Sequence, residues 1–402
     1  MAELKKTNLG EIREKWCLCM NCAACYYHGP IIPHNWLELP PERWDAPLAK
    51  CPSFEFFGFR AYTPVGRLNL ATVAFGDETF PVTDDLLEVL YTCDTCGMCN
   101  EICPAYRPVD TILAFRETLF QRGAKRPAPV EKIDDNIKKT GNIFGARKVP
   151  AGEITVQSGN GKDIYFAGCN ARFRKTEVIE ATLETLRAAG TEIAWLGEAE
   201  QCCGFVPGHD GNTSLYEAQA ARNVRMMKNA GAERIIVSCA HCLKAWKIDY
   251  PAIDKNYQFE VVHVSEIYSS LLNEGKIFFK KELDKDLTYH DPCYLGRHGG
   301  GIYMEPRMVL EKIPGIRLKE MRRNKRWSYC CGSGGKISSV CHPEMAARST
   351  RDRLEEGKDA GNTIVTACTT CAVHMDRFAG KENLKVEILD LPLLVAEAMG
   401  VK

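Results

Sequence analysis

The sequence predicts an α/β protein: a mostly helical, cysteine-rich N-terminal module followed by two repeated parallel α/β domains. Three observations carry this. Eight of the first nine cysteines crowd into short clusters with Pro close by, whereas the later eleven are spread as singles, CC pairs and CxxC pairs. Beyond residue 162, short apolar runs alternate with amphipathic helical patterns, the signature of strands joined by helical crossovers. The cysteine pattern of that second half also occurs twice, at a nearly constant offset.

In order along the chain, the divisions are a module at 1–123, a linker at 124–162, and repeats at 163–275 and 276–402. The linker region is rich in Lys, Arg, Gly and Pro and is expected to hold one poorly packed helix. In the first repeat, DIYFAGC (163–169), TEIAWLG (191–197), RIIVSC (234–239) and FEVVHV (259–264) are predicted strands. TEVIEATLETLRAAG (176–190) and SLYEAQAARNVRMMKNAG (214–231) are the intervening helices. The second repeat follows with LTYHDPC (287–293), MVLEKIPGIRLKE (308–320), the helical PEMAARSTRDRLEEG (343–357), NTIVTAC (362–368) and VEILDLPLLVAEAM (386–399). Such alternation fits a Rossmann-like doubly wound sheet, whose ligands gather outside the carboxyl ends of the strands.

Composition excludes several functions. With 52 Lys+Arg against 52 Asp+Glu, the chain lacks the basic field expected of a protein whose main partner is nucleic acid. Its first residues lack the apolar core of a secretory signal, and no run of apolar residues is long enough to span a bilayer. The expectation is a cytoplasmic protein that meets a membrane only through a partner. In that compartment, 20 cysteines point to metal or redox chemistry rather than a disulfide scaffold.

Spacing decides which metal. Cys93, Cys96, Cys99 and Cys103, the last followed by Pro104, have the ferredoxin spacing, in which three cysteines hold one [4Fe-4S] cubane and the fourth reaches a second. Zinc sites instead draw paired knuckles from separate segments. The other half is Cys19, Cys22 and Cys25, with its Cys-Pro partner displaced to Cys51-Pro52. Crossed ligation by analogy assigns Cys19, Cys22, Cys25 and Cys103 to one cube, and Cys93, Cys96, Cys99 and Cys51 to the other. Cys17 is left over, either as a spare buried thiol or as a replacement for Cys19 in ligation. Two oxidised cubes leave the module about four charges more negative than the apo chain, so an electron donor with a basic face is expected.

The repeats carry five thiols each. Cys169, Cys202-Cys203 and Cys239-Ala-His-Cys242 correspond to Cys293, Cys330-Cys331 and Cys368-Thr-Thr-Cys371, with offsets of 124, 128 and 129 residues. Adjacent cysteines cannot easily share one tetrahedral zinc, and five thiols exceed its needs, so a larger iron–sulfur assembly is indicated. Glycines follow the pairs (Gly204, Gly332, Gly334, Gly335) and follow Cys293 (Gly296, Gly299, Gly300, Gly301). They serve either close backbone approach to a bulky cofactor or ordinary strand-to-helix turns.

YFAGC (165–169), CCG (202–204), IIVSCAHC (235–242), YHDPCYLGR (289–297) and YCCGSGG (329–335) resemble the duplicated CCG-domain proteins related to the catalytic subunit of heterodisulfide reductase. The N-terminal module and TPVGRLNLA (63–71) are similar to members in which a ferredoxin-type module is fused ahead of the CCG domains. The resemblance implies non-cubane [4Fe-4S] clusters on one or both five-cysteine sets, with zinc as the alternative occupant of one. It further implies disulfide cleavage at such clusters and partnership with a flavoprotein or a membrane cytochrome b-type subunit. Ala240 and Thr369 stand where the family commonly has Pro.

Among histidines, His241 inside the first CxxC and His290 three residues before Cys293 are the candidates for protonating a leaving thiolate, with Cys331 as the reactive cysteine. His298, His209, His342 and His374 also lie near cysteine segments, while His263 is expected to be structural. Asp291 either orients His290 or caps a turn, and the basic run KEMRRNKRW (319–327) either meets an anion or faces solvent. CGSGGK (331–336) lacks phosphate-loop spacing and no GxGxxG follows a strand, so nucleotide and flavin sites are not expected. Two functions remain: an iron–sulfur oxidoreductase subunit acting on a small thiol or disulfide, or a relay between a flavoprotein or membrane cytochrome and another catalytic subunit.

Overall fold

The computed structural model describes Cys19 and residues 51–103, 105, 107–147 and 159–401. Cys17, Cys22 and Cys25, and with them two of one cubane's four expected ligands, lie outside the described residues. Among the described residues no helix is long and apolar enough to cross a membrane.

The N-terminal module is helical because its segments begin with strong start signals. Pro52–Phe57 has Cys51 as its N-cap and Pro at the first position; Pro64–Gly76 is capped by Thr63, whose Oγ1 accepts from Gly66 N at 3.0 Å. Gly66 is dictated by a close approach, since a Cβ there would sit 2.0 Å from the Arg60 carbonyl oxygen. The next residue, Arg67, is fully buried and donates to Val89 O, Tyr62 O, Ser53 Oγ and Thr92 Oγ1 at 2.6–2.9 Å. The TPVGRLNLA segment is thus the girder of the module. Asp84–Tyr91, Met98–Ile102 and Pro108–Gln121 complete it.

The helix Ala128–Thr140 departs from expectation. Its Val130, Ile133 and Ile137 are buried, in a cluster shared with Leu90, Phe115 and Val206. Polar composition hid a narrow apolar stripe at i, i+3 and i+7, enough for one buried face. Arg126, ahead of it, pairs with Asp134 on the helix and Asp210 of the first repeat at 2.7 and 2.8 Å.

Each repeat contains a four-stranded, all-parallel sheet. The first holds β1 (Asp163–Phe166), β2 (Ile193–Trp195), β3 (Arg234–Val237) and β4 (Glu260–His263) in the order β2-β1-β3-β4. The second holds β5 (Lys285–His290), β6 (Ile316–Leu318), β7 (Thr363–Thr366) and β8 (Glu387–Asp390) in the order β6-β5-β7-β8. Central strands are buried on both faces, as sheets covered by crossover helices require. The repeats interlock, because each one's last helix packs on the other's first long helix: Val264–Asn273 on Met304–Lys312, and Leu391–Met399 on Glu177–Ala188. One hydrophobic core therefore runs through both.

Candidate iron–sulfur site

The carboxyl ends of the central strands deliver the thiols. Cys169 follows β1, Cys239 follows β3, Cys293 follows β5 and Cys368 follows β7, each within three residues of the strand's last residue. The CC pairs arrive from loops after β2 and β6 and are pinned by the next helix. Gln219 and Asn223 donate to Cys202 O at 3.1 and 2.9 Å, while Thr350 Oγ1 donates to Cys331 O at 3.0 Å. Gly204 and Gly332 follow the pairs with φ of 76° and 86°, so both need the left-handed conformation as well as space.

Side-chain interactions link nine of the ten repeat thiols in an unbroken series, from Cys169 to Cys202, from Cys202 to Cys203, and from Cys203 to Cys242. The series continues from Cys242 to Cys239, across to Cys368, and on through Cys371 and Cys331 to Cys330. The two five-cysteine sets meet at Cys239 and Cys368. Hydroxyl contacts reinforce the junction, with Thr370 Oγ1 3.2 Å from Cys239 Sγ and accepting from Asn170 Nδ2 at 2.8 Å. In both repeats the second cysteine of the pair has its thiol pKa lowered by two thiol donors: Cys202 and Cys242 for Cys203, Cys330 and Cys371 for Cys331.

The tenth thiol, Cys293, is reached by the fields of Arg297 and Cys331 in its own repeat and of Cys96 in the N-terminal module. Cys51 in turn feels the fields of Cys93 and Cys96. Burial pushes the Cys51 thiol up to about 12 despite Arg67, and pushes Cys96 and Cys293 up as well. Thiols so placed stay protonated until a metal displaces the proton, and thiolate sulfur in this number suits iron. None of the described cysteines is in a disulfide. The donor set therefore fits iron–sulfur clusters.

A turn of the second repeat clasps the 93–97 loop. Tyr294 OH lies 2.7 Å from Thr95 Oγ1, the His298 ring nitrogen Nε2 3.0 Å from Thr95 O, and Arg297 Nε donates to Cys96 O at 2.7 Å. Gly97 must be glycine here, because a Cβ would meet the His298 ring at 2.4 Å. Asp94, buried between Cys93 and Cys96, accepts from Ser338 and reaches Cys330, and burial raises its carboxyl above the usual range.

The histidines divide by neighbourhood. His290 forms a group with Cys331 and Cys371 whose donor atoms lie within 4.8 Å of one another. Arg353 Nε donates to His290 Nδ1 at 2.9 Å, so the neutral ring carries its proton on Nε2, which has no other partner. Burial first, and Arg353 in addition, holds the imidazole below its usual pKa. His241 Nδ1 lies 4.0 Å from Cys239 Sγ. His209, His241 and His298 line a buried aromatic ladder with Phe205 and Tyr294. His374 Nε2 is 3.0 Å from Thr350 Oγ1, His342 packs edge-on against Phe57, and His263 caps Val264–Asn273.

Sequence reasoning missed Arg297 and Arg353, because nothing local distinguishes a buried arginine from a surface one. Asp291 does not orient His290; it is committed to Arg307 at 2.7 and 2.9 Å and to Lys325 N at 2.7 Å. The basic run is likewise partly structural, with Arg323 on Glu356 and Asn324 buried. A cleft of about 990 Å³ opens at the amino ends of the first sheet's strands, lined by residues such as Lys162, Arg187 and Glu192 and by no cysteine or histidine.

A cysteine-rich CCG domain matches residues 164–246 and again 287–376, and a 4Fe-4S dicluster domain matches 15–106. One subunit of the dihydromethanophenazine:CoB–CoM heterodisulfide reductase from Methanosarcina acetivorans is 31% identical over 83% of this chain and 84% of its own. One subunit of the fumarate reductase (CoM/CoB) from Methanothermobacter marburgensis is 31% identical over 91% of this chain and 68% of its own. EtfAB:quinone oxidoreductase from Syntrophomonas wolfei is 31% identical over 67% of this chain and 40% of its own. Among solved structures, a hypothetical protein from Helicobacter pylori shares the fold, with a TM-score of 0.55 and 14% identity over 84% of this chain and 68% of its own.

Proposed function

Because the chain belongs to the heterodisulfide reductase-like family of iron–sulfur oxidoreductase subunits, with a 4Fe-4S dicluster domain and two CCG domains, we propose that its paired CCG units perform two-electron thiol/disulfide chemistry. The observation that carries this is the meeting of the two five-cysteine sets at Cys239 and Cys368. Disulfide cleavage consumes two electrons, and iron–sulfur clusters supply them singly, so two adjoining centres suit the stoichiometry.

In this reading Cys169, Cys202, Cys203, Cys239 and Cys242 hold one non-cubane cluster, and Cys293, Cys330, Cys331, Cys368 and Cys371 the other. Cys51, Cys93, Cys96 and Cys99 hold one cubane, with Cys103 serving the second alongside Cys19, Cys22 and Cys25. His290 lies beside Cys331 and Cys371, and His241 beside Cys239, so each can hold a proton next to sulfur where substrate is split. The electron donor is a separate redox protein, a flavoprotein or a cytochrome of the b type.

A second reading, a relay that meets no small molecule, is favoured by the depth of the thiols, nine of the ten CCG cysteines being buried. One experiment separates the two. Protein purified without oxygen is given reduced viologen and a panel of thiol disulfides. Turnover that disappears in Cys331→Ser supports the enzyme; full reduction of the iron centres without turnover on any disulfide supports the relay.

A further inference from the structure

Arg297 lies four residues after Cys293, in the turn that clasps the Cys93–Cys96 loop, and is 9% exposed. Most of its fork is taken up by carbonyls. Nε donates to Cys96 O at 2.7 Å, and Nη1 to Ser328 O and Arg326 O at 2.8 and 2.9 Å. Nη2 is buried and has no hydrogen-bond partner. Among the described residues no carboxylate forms an ion pair with this guanidinium. A buried cation without a counter-charge is destabilising, by several kcal/mol even after relaxation. The acidic groups whose fields do reach it are thiols, those of Cys96, Cys293 and Cys330, together with the Tyr303 phenol.

Those thiols belong to different ligand sets. Cys96 is assigned to the cubane of the N-terminal module, Cys293 and Cys330 to the cluster of the second repeat. We infer that Arg297 is the counter-cation shared by these two sets, offering its unpartnered Nη2 to sulfur at their junction. This rests on the ligand assignment proposed above. Arg297 is a positioning residue and not a catalytic one, since it touches ligand segments rather than substrate.

The electrostatic consequence has a sign. Each electron that a centre takes from a donor makes it one unit more negative, and a fixed cation nearby favours that product over the oxidised form. Two buried arginines of the module lie beside this cubane: Arg67 satisfies its fork with neutral oxygens, and Arg116 gives both terminal nitrogens to the carbonyls of His209, Leu90 and Cys93. Arg297 therefore raises the reduction potential of both centres, and the second repeat is the one electrostatically joined to the cubane.

The test is an anaerobic potentiometric titration of the full chain, followed by electron paramagnetic resonance, with iron and sulfide assayed on the same samples. Arg297→Met is expected to shift the one-electron equilibrium at both centres at least tenfold towards the oxidised form, a fall of about 59 mV, at unchanged iron and sulfide content. Arg297→Lys, which keeps the charge, is expected to recover most of the shift. If Arg297→Met does not load iron, Arg297→Gln carries the same expectation, since it is neutral yet still a donor. Loaded neutral variants with wild-type midpoints, or a shift as large in Arg297→Lys as in Arg297→Met, would overturn the inference. A wild-type protein without iron and sulfide would instead overturn the ligand assignment beneath it.

Discussion

The two repeats have the same strand order and the same cysteine positions, yet they surround those cysteines differently. Three residues before the first cysteine, at the end of β1 and β5, stand Phe166 and His290, and their neighbours in register on β3 and β7 are Val237 and Thr366. Phe166 packs edge-on against Trp246, with ring centroids 5.3 Å apart. His290 is held by Arg353 and faces two thiols. The first repeat docks on the module's helices, through Tyr91 OH to Asp210 O and Arg116 to His209 O. The second grips the cubane loop itself. Duplication has thus supplied one scaffold twice, with an apolar backing in one copy and a polar, arginine-rich one in the other. The asymmetry makes the second copy the better candidate for proton-linked chemistry.

The glycines after the CC pairs offer the most severe test of that asymmetry. A Cβ on Gly332 would meet Thr350 Oγ1 at 2.1 Å and Ala346 O at 2.6 Å, whereas on Gly204 it would meet Tyr216 Cδ2 at 2.9 Å and Gln219 Cβ at 3.1 Å. Both substitutions to Ala strain a left-handed φ, but backbone yields less than an aromatic ring. Gly332→Ala is expected to lose about 4 kcal/mol or fail to load iron in its repeat, and Gly204→Ala about 2 kcal/mol. Chemical denaturation and metal assay read both.

An intermediate effect is expected at the strand ends. His290→Phe leaves the Arg353 Nε without its acceptor inside the protein and should cost about 3 kcal/mol. Phe166→Leu removes only part of an apolar contact and should cost about 1 kcal/mol. Equal losses in denaturation midpoints would mean that the polar backing of the second copy is not what distinguishes it.

An effect spread over pH belongs to the docking of the first repeat. Burial and the neighbouring Asp134 raise Asp210 to about 7, against the pull of Arg126. Between the unfolded value near 4 and that folded value, the folded protein holds a proton that the unfolded chain has released. Stability should therefore fall as pH rises through this window, with a slope of up to about 1.4 kcal/mol per unit, and level off above about 7. Melting temperatures from pH 5 to 8 would show the decline, and Asp210→Asn should flatten it.

Much of this was legible in the sequence because strands, helices and thiols obey local rules. The alternation of apolar runs foretold two parallel α/β sheets, and it put the single and CxxC cysteines at strand ends. What stayed hidden depended on long-range packing. The stripe of Val130, Ile133 and Ile137 was too narrow to stand out against a polar segment. The role of Arg353 is set by a helix that brings it back from 63 residues beyond His290. The union of Cys239 with Cys368 depends on how two sheets interlock, which no spacing within either one specifies.

Cys202 N donates to Gly141 O at 2.8 Å, just past the helix that Arg126 clamps to Asp210. The described stretch 124–147 is thereby a strut and not a leash, held to the first repeat at Asp210 and Cys202. Internal electron passage should then be indifferent to solvent viscosity, leaving the diffusive arrival of the external donor as the step that added glycerol would slow.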